Sequence, residues 1–335
     1  MNRLPVMACA ALLGLSCVAG ASDNQKPIAA AQSSIGHIQR LNPAINAIVP
    51  ADAVIEVLAE GHGWTEGPLW VPQLNALLYS DIPANAIYIY DDTVGARPWI
   101  EPSPGYPGGS GGSNGLALDR EGRLILAQHG DRRIARLEGN WEQPAPQFQA
   151  LVAAFKGRRF NSPNDLIMHR DGTLYFTDPP YGLAGGAADP ARELDMQGVF
   201  SLRADGAVAL LVDNLTRPNG IGLSPAQDVL YVANSGEDQR VIMAYDLRED
   251  GSIESERVFF NSWGDGLTVD QHGNVYVAEP ERGVLVLSPD GIHLGMLVTT
   301  QRTSNVAFGD DGSTLYITAD SYLLRVKLNT RGVGF

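Results

Sequence analysis

Short apolar runs alternate with polar turns along most of the chain, and no stretch shows a sustained helical period. Six segments share one layout, in which an apolar run leads through a polar turn to a second, β-rich run. In one of them the first run ends at Met168, the turn falls at Asp171-Gly172, and the second run ends at Asp178. Each segment begins at a residue with an oxygen-bearing side chain; these residues are Glu66, Asn114, Asn164, Asn219, Asp265 and Asn305.

Successive starting residues are separated by 40 to 55 residues. A repeat of this length, with several strands in each unit, is typical of a β-propeller. Residues 51–335 are therefore predicted to form an all-β, six-bladed β-propeller.

The last unit ends one strand short, near Leu328, and the apolar run Val54–Leu58 has no hairpin partner of its own. Because an open sheet edge is a liability, we expect this early run to close the ring as the outer strand of the last blade. The alternative is a free N-terminal arm.

The six starting residues have two interpretations. Asn-Gly and Asp-Gly are common turn dipeptides, but each unit already has a turn about eight residues later. In a propeller the starting position lies at the inner strand, at one mouth of the central channel. The sequence thus favours a ring of oxygen ligands, which suits Ca²⁺ or Mg²⁺, with Mn²⁺ possible and Zn²⁺ less suited.

Composition and the N-terminus narrow the class of protein. The 335 residues include 24 Lys and Arg against 38 Asp and Glu, and the net charge of -14 argues against nucleic acid or an anionic membrane as a partner.

Residues 1–21 fit a secretory signal peptide, so we expect a periplasmic or secreted protein without a membrane anchor after cleavage. Both cysteines lie in this segment. Residues 22–50 are predicted to be a partly disordered extension.

Further residues are candidates for contacts with a substrate. His129 ends a second strand at a loop, and the longest insertion follows Asp178 and carries Tyr181. Such an insertion is either a surface excursion or a wall of the pocket. The candidate set for substrate binding is Asn114, His129, Asp178, Tyr181 and Asn305.

Several motifs resemble the gluconolactonase / senescence-marker-protein / luciferin-regenerating-enzyme family. They are Glu66-Gly67-Pro68, Ser162-Pro163-Asn164-Asp165, Arg217-Pro218-Asn219-Gly220, Gly264-Asp265-Gly266 and, for the bacterial gluconolactonase branch, Thr177–Leu183. The resemblance implies a six-bladed propeller with one divalent cation, usually Ca²⁺, held by Glu66, Asn164, Asn219 and Asp265. It also implies hydrolysis of a sugar lactone. Animal members carry an Arg where this chain has Ser162, and that Arg helps to hold the substrate. The identity of the sugar is therefore left open.

On this reading Asp265 is the expected base that takes a proton from the attacking water, with a metal-bound hydroxide as the alternative. Two other functions remain open at this point. One is hydrolysis of other lactones, esters or organophosphates on the same frame. The other is a propeller that binds a sugar or a protein without catalysis.

Overall fold

The computed structural model describes residues 33–104 and 111–335. The predicted signal peptide at residues 1–21 lies outside the described part of the chain. Among the described residues, no helix is long and apolar enough to cross a membrane.

The described residues form six four-stranded antiparallel blades, a short hairpin, one α-helix and one 3-10 turn. Ahead of the first blade lie β1 (His37–Arg40), α1 (Ile45–Ile48) and β2 (Glu56–Ala59). Blade 1 contains β3 (Thr65–Val71), β4 (Ala76–Asp81), β5 (Ala86–Asp91) and β6 (Gly95–Ile100). Blade 2 contains β7 (Ser113–Leu118), β8 (Leu124–Gln128), β9 (Arg133–Leu137) and β10 (Phe148–Val152).

The hairpin β11 (Ala154–Phe155) and β12 (Arg158–Arg159) leads into blade 3, which contains β13 (Leu166–Met168), β14 (Leu174–Asp178), β15 (Gly198–Leu202) and β16 (Val208–Val212). The 3-10 turn Gly186–Ala188 lies between β14 and β15. Blade 4 contains β17 (Pro218–Leu223), β18 (Val229–Gly236), β19 (Gln239–Leu247) and β20 (Ile253–Phe260). Blade 5 contains β21 (Leu267–Val269), β22 (Val275–Glu279), β23 (Gly283–Leu287) and β24 (His293–Val298). Blade 6 contains β25 (Thr303–Gly309), β26 (Thr314–Ala319) and β27 (Tyr322–Lys327), with β2 as its outer strand.

The inner strands β3, β7, β13, β17, β21 and β25 contact one another in this order, and β25 contacts β3 in turn. The six-bladed propeller predicted from the repeat is therefore confirmed. The core lies between blades: Val277 and Leu285 of blade 5 pack with Tyr231 and Ile242 of blade 4. Strands such as β22 and β23 are buried along their whole length because each blade is covered on both faces.

The predicted closure of the ring is also confirmed. β2 pairs antiparallel with β27, with Val57 opposite Leu324 and Glu56 opposite Arg325. The Arg325 guanidinium donates to the Glu56 carboxylate at 2.7 Å across this seam. The first strand of the propeller in the chain thus completes its last blade, which leaves no free arm at residues 56–59.

The prediction of a partly disordered extension is wrong for residues 33–50. β1 pairs with β24 and adds a fifth strand to blade 5. Ile45, Ile48 and Val49 are buried against blades 5 and 6. The Arg40 guanidinium holds the carbonyl of Val49 at 3.0 Å. A strand of four residues and a single helical turn are too short to show a period, so their order comes from the blades they cover.

Candidate functional site

A cavity of about 720 Å³ opens at one mouth of the central channel. Five of the six starting residues line it, and these are Glu66, Asn114, Asn164, Asn219 and Asp265. His129 and Tyr181, predicted to contact a substrate, line it as well. Residues from five blades, up to 199 positions apart in the chain between Glu66 and Asp265, therefore meet in one place.

β-Bulges aim these side chains into the channel. The pairing of β3 with β4 shifts between Glu66 and Leu69, and that of β17 with β18 shifts between Pro218 and Ile221. A bulge inserts an extra residue and turns a side chain out of the pleat. The starting residues therefore project into the channel although the strands that carry them continue.

The glycine after a starting residue serves close packing. A Cβ on Gly67 would lie 2.2 Å from the carbonyl oxygen of Asn114, and one on Gly220 would lie 2.2 Å from that of Asp265. Both glycines lie inside strands β3 and β17. The glycine of these dipeptides, which the alternative interpretation assigned to a turn, therefore reflects the close approach of neighbouring blades around the axis.

Backbone and hydroxyl hydrogen bonds fix the ring of ligand candidates. The amide of Gly220 donates to the carbonyl of Asp265 at 3.0 Å, and that of Gly115 donates to Asn164 at 2.8 Å. A hydroxyl on a second strand supplies further links, since Thr177 donates to the carbonyl of Asn219 at 2.7 Å. These contacts join neighbouring blades at the level of the site, so its residues are held by several elements at once.

Three acids lie close enough to influence one another: Glu66 and Asp265 line the cavity, and Asp165 lies next to them. Burial, together with the nearby charge of Asp165, raises the pKa of Glu66 from 4.5 to about 8. Burial raises the pKa of Asp165 to about 7. Burial in the cavity wall, followed by the charges of Glu66 and Asp165, also raises the pKa of Asp265 well above its ordinary value. The arrangement favours either protonated acids or a cation between them.

Asp165 was not among the candidates taken from the sequence. Its carboxylate accepts the amides of Leu166 at 3.0 Å and Ile221 at 3.2 Å, which joins blade 3 to blade 4 under the cavity. The signal for it is the Asn164-Asp165 dipeptide, which has an acid where three other units have glycine after the Asn or Asp. Arg217, Trp64, Trp263 and Arg302 at the cavity rim were likewise not predicted.

Two buried polar atoms at the cavity have no hydrogen-bond partner among the described residues, Asn114 Oδ1 and His129 Nδ1. The amide nitrogen of Asn219 donates to Ser235 at 2.9 Å, so the carbonyl oxygen of Asn219 is the atom left to face a ligand. Burial lowers the pKa of His129 to about 4, and the imidazole is neutral near pH 7. The wall therefore offers neutral acceptors and donors beside the acids.

Asp178 and Asn305, two predicted substrate contacts, lie behind the cavity wall. Asp178 is fully buried, and its carboxylate accepts the amides of Asn161 at 2.7 Å and Ser162 at 2.8 Å. Asn305 donates from Nδ2 to Glu66 at 3.3 Å and accepts the amide of Val306 at 2.8 Å. Their hydrogen-bond partners are protein groups, and neither residue lines the cavity.

The described residues contain no group of three or more His, Cys, Asp or Glu side chains that could hold a metal ion. A cation at this mouth would therefore need two carboxylates, Glu66 and Asp265, together with the amide oxygens of Asn164 and Asn219. Such all-oxygen sets of mixed charge are those that Ca²⁺ accepts.

Comparison with known proteins shows which family this chain belongs to. The family described as SMP-30/Gluconolactonase/LRE-like region matches residues 64–321. The chain belongs to the SMP-30/gluconolactonase/LRE-like family. It is similar to a curated gluconolactonase of Zymomonas mobilis subsp. mobilis, with 36% identity over 319 residues, covering 90% of this chain and 88% of the relative.

Solved structures with the same fold superpose on this chain. A gluconolactonase from Xanthomonas campestris superposes with a TM-score of 0.80 at 29% identity, covering 91% of this chain and 99% of the other. A calcium-binding protein, regucalcin, from Agrobacterium tumefaciens superposes with a TM-score of 0.65 at 18% identity, covering 82% of this chain and 94% of the other. The latter likeness shows the shared fold alone.

Proposed function

We propose that this protein hydrolyses a sugar lactone to the corresponding aldonic acid. Water adds to the lactone carbonyl, the ring C–O bond breaks, the ring oxygen takes a proton and becomes a hydroxyl, and the product carboxyl ionises. The observation that carries the proposal is the convergence of Glu66, Asn164, Asn219 and Asp265 on one open cavity. The similarity to a gluconolactonase over 90% of the chain supports it.

We also propose that these four residues hold one divalent cation. The acids fit one, because burial, and after it the neighbouring negative charges, raises the pKa values of Glu66 and Asp265, and a cation between them would offset both costs. The oxygen-only donors favour Ca²⁺, with Mg²⁺, Mn²⁺ or Zn²⁺ as alternatives. When bound, such an ion polarises the lactone carbonyl and balances the oxyanion that develops on it.

The side chains of the cavity supply the remaining chemistry. The half-buried carboxylate of Asp265 faces the cavity and accepts a proton from the attacking water in this proposal. Asn114 and His129 present polar atoms with no protein partner among the described residues, and these suit the hydroxyls of a sugar ring. Tyr181 closes the wall on the side of the long insertion, which makes the insertion part of the pocket.

The test is an assay of glucono-, galactono-, xylono- and arabinono-lactones, with and without chelator, on the wild type and on Asp265→Asn. Asp265→Asn should stay folded and lose about 100-fold or more in kcat/KM, because it removes the proposed base and one of the proposed cation ligands together. Asp290→Asn is the matched control, since Asp290 is an exposed turn residue. Wild-type turnover in Asp265→Asn would show that Asp265 is not the base. Turnover of esters or organophosphates, with no turnover of any lactone, would show that the substrate is not a lactone.

We propose that cleavage after Ala21 releases the protein into the periplasm or the medium. Mass spectrometry of the protein from its native host should give Ser22 as the first residue. An intact N-terminus in the cytoplasmic fraction would contradict this localisation.

A further inference from the structure

Three arginines at the cavity mouth differ from all others in the described residues. Arg217, Arg240 and Arg302 donate no hydrogen bond to a carbonyl or carboxylate oxygen and form no ion pair there. Each lies on an aromatic ring instead: Arg217 on Tyr181 at 5.7 Å, Arg240 on Trp263 at 4.8 Å and Arg302 on Trp64 at 5.4 Å. Every other described arginine reaches a carbonyl or carboxylate oxygen, as Arg132 does at Phe160 and Arg97 at Asp91.

Two of the three, Arg217 and Arg302, line the cavity itself. Their backbones are anchored while their guanidinium groups are exposed. The amide of Arg217 donates to Asn234 at 2.7 Å, and Thr303, next to Arg302, donates from its hydroxyl to the carbonyl of Glu279 at 2.7 Å. The side chain of Arg217 also hydrogen-bonds to that of Tyr181. Neither guanidinium forms an ion pair with a carboxylate among the described residues, so each keeps further N–H groups for an oxyanion.

With a divalent cation bound, the charged side chains around the cavity leave an excess of positive charge, which an anion can balance. Two guanidinium groups face it, and the acids that line it are Glu66, Asp265 and Glu237. A divalent cation held as proposed above balances Glu66 and Asp265. One acid then stands against two cationic side chains, in a chain whose net charge is -14. Two arginines without an ion pair among the described residues, in so acidic a protein, indicate a ligand that supplies negative charge.

We infer that Arg217 and Arg302 select a sugar lactone that carries a second, anionic group, a carboxylate or a phosphate, on the end of the sugar away from the ester. This inference rests on the proposed lactone hydrolysis. The two arginines flank blade 5, because Arg217 directly precedes β17 of blade 4 and Arg302 directly precedes β25 of blade 6. The ester then lies at the acids deeper in the channel, and the anionic group lies at the rim.

The experiment compares matched pairs of lactones. D-glucono-1,4-lactone is set against D-glucaro-1,4-lactone, which has a carboxylate in place of the terminal alcohol. D-glucono-1,5-lactone is set against its 6-phosphate. We expect the charged member of at least one pair to have a kcat/KM about tenfold higher at low salt, and the advantage to shrink as salt is raised. The pair that shows the advantage identifies the carboxylate or the phosphate as the group recognised.

Variants test whether these two arginines carry the preference. Arg217→Gln and Arg302→Gln should each lower the charged-to-neutral ratio of kcat/KM about tenfold, the loss expected for one charge-assisted contact. Arg203→Gln removes the same charge from an exposed position elsewhere in blade 3 and should keep the ratio. Equal rates within both pairs, or a ratio that survives both cavity variants, would overturn the inference and leave lactone hydrolysis standing. Absence of turnover on every lactone, neutral and charged, would instead refute the proposed function.

Discussion

The side-chain amide of Asn305 donates to the carboxylate of Glu66 at 3.3 Å, between two residues 239 positions apart in the chain. Asn305 lies on β25 of blade 6 and Glu66 on β3 of blade 1, so this bond crosses the seam where the ring closes. Contact between the first and last blades therefore also supports a ligand candidate. A chain that failed to close at β2 and β27 would also lose the support of Glu66.

Asn305→Asp replaces the donor at this contact with a second acid of almost the same shape. We expect the free energy of unfolding to fall by about 1.5–3 kcal/mol in chelator at a pH of about 9, where Glu66 is ionised, which is the cost of a lost hydrogen bond to a charged group. Urea denaturation measures it, with Asn214→Asp at an exposed site as the control. Added Ca²⁺ should recover part of the loss, because a cation compensates the extra charge. Equal stability of Asn305→Asp and the wild type in chelator would show that the bond does not support Glu66.

Gly67→Ala tests the close approach of blades 1 and 2. Gly67 has a φ of +50°, and a Cβ there would lie 2.2 Å from the carbonyl oxygen of Asn114. We expect a loss of more than about 3 kcal/mol in the free energy of unfolding, because backbone strain and a steric clash combine. Gly206→Ala is the control, since Gly206 has a φ of +86° and open space around it. It should lose only about 1–2 kcal/mol from the left-handed conformation. Similar losses in the two variants would contradict the packing argument.

The stability of the ion-free protein should depend on pH through the acids of the channel. The pKa is about 8 for Glu66 and about 7 for Asp165 in the folded chain, against 4.5 and 3.8 ordinarily. Between about pH 4.5 and 8 the folded chain holds protons that the unfolded chain has released. The free energy of unfolding should therefore fall as pH rises through this range in chelator.

Thermal or urea unfolding at pH 5 and pH 8 measures this slope. A bound divalent cation should flatten it, because the acids then ionise against a counter-charge. Glu66→Gln should also flatten it, since one of the titrating groups is gone. A wild-type slope that is unchanged by Ca²⁺ would place the ion, if one binds, away from these acids.

The repeat made the architecture predictable. Every blade reuses an apolar run, a turn such as Asp171-Gly172 and a second run, so six weak patterns reinforce one another. The starting residues could be named for the same reason, since each holds one position in the repeat. The family resemblance then reduced six starting positions to four ligand candidates.

The remaining features depend on contacts between blades, which a single sequence does not display. Asp178 resembled a pocket residue, yet the amides of Asn161 and Ser162 occupy its carboxylate. Asn305 resembled a ligand, yet it supports Glu66 from the neighbouring blade. The proposed roles of Arg217 and Arg302 depend on the lack of an ion pair among the described residues, which becomes visible only when the neighbouring side chains are in place.

Calcium titration of chelator-treated protein, with lactone turnover followed in the same samples, tests the central claim most directly. The account predicts one ion bound per chain, turnover that rises with its occupancy, and loss of both in Asp265→Asn. Full turnover in protein shown to be free of divalent ions, or an ion that still binds with wild-type affinity in both Glu66→Gln and Asp265→Asn, would contradict it.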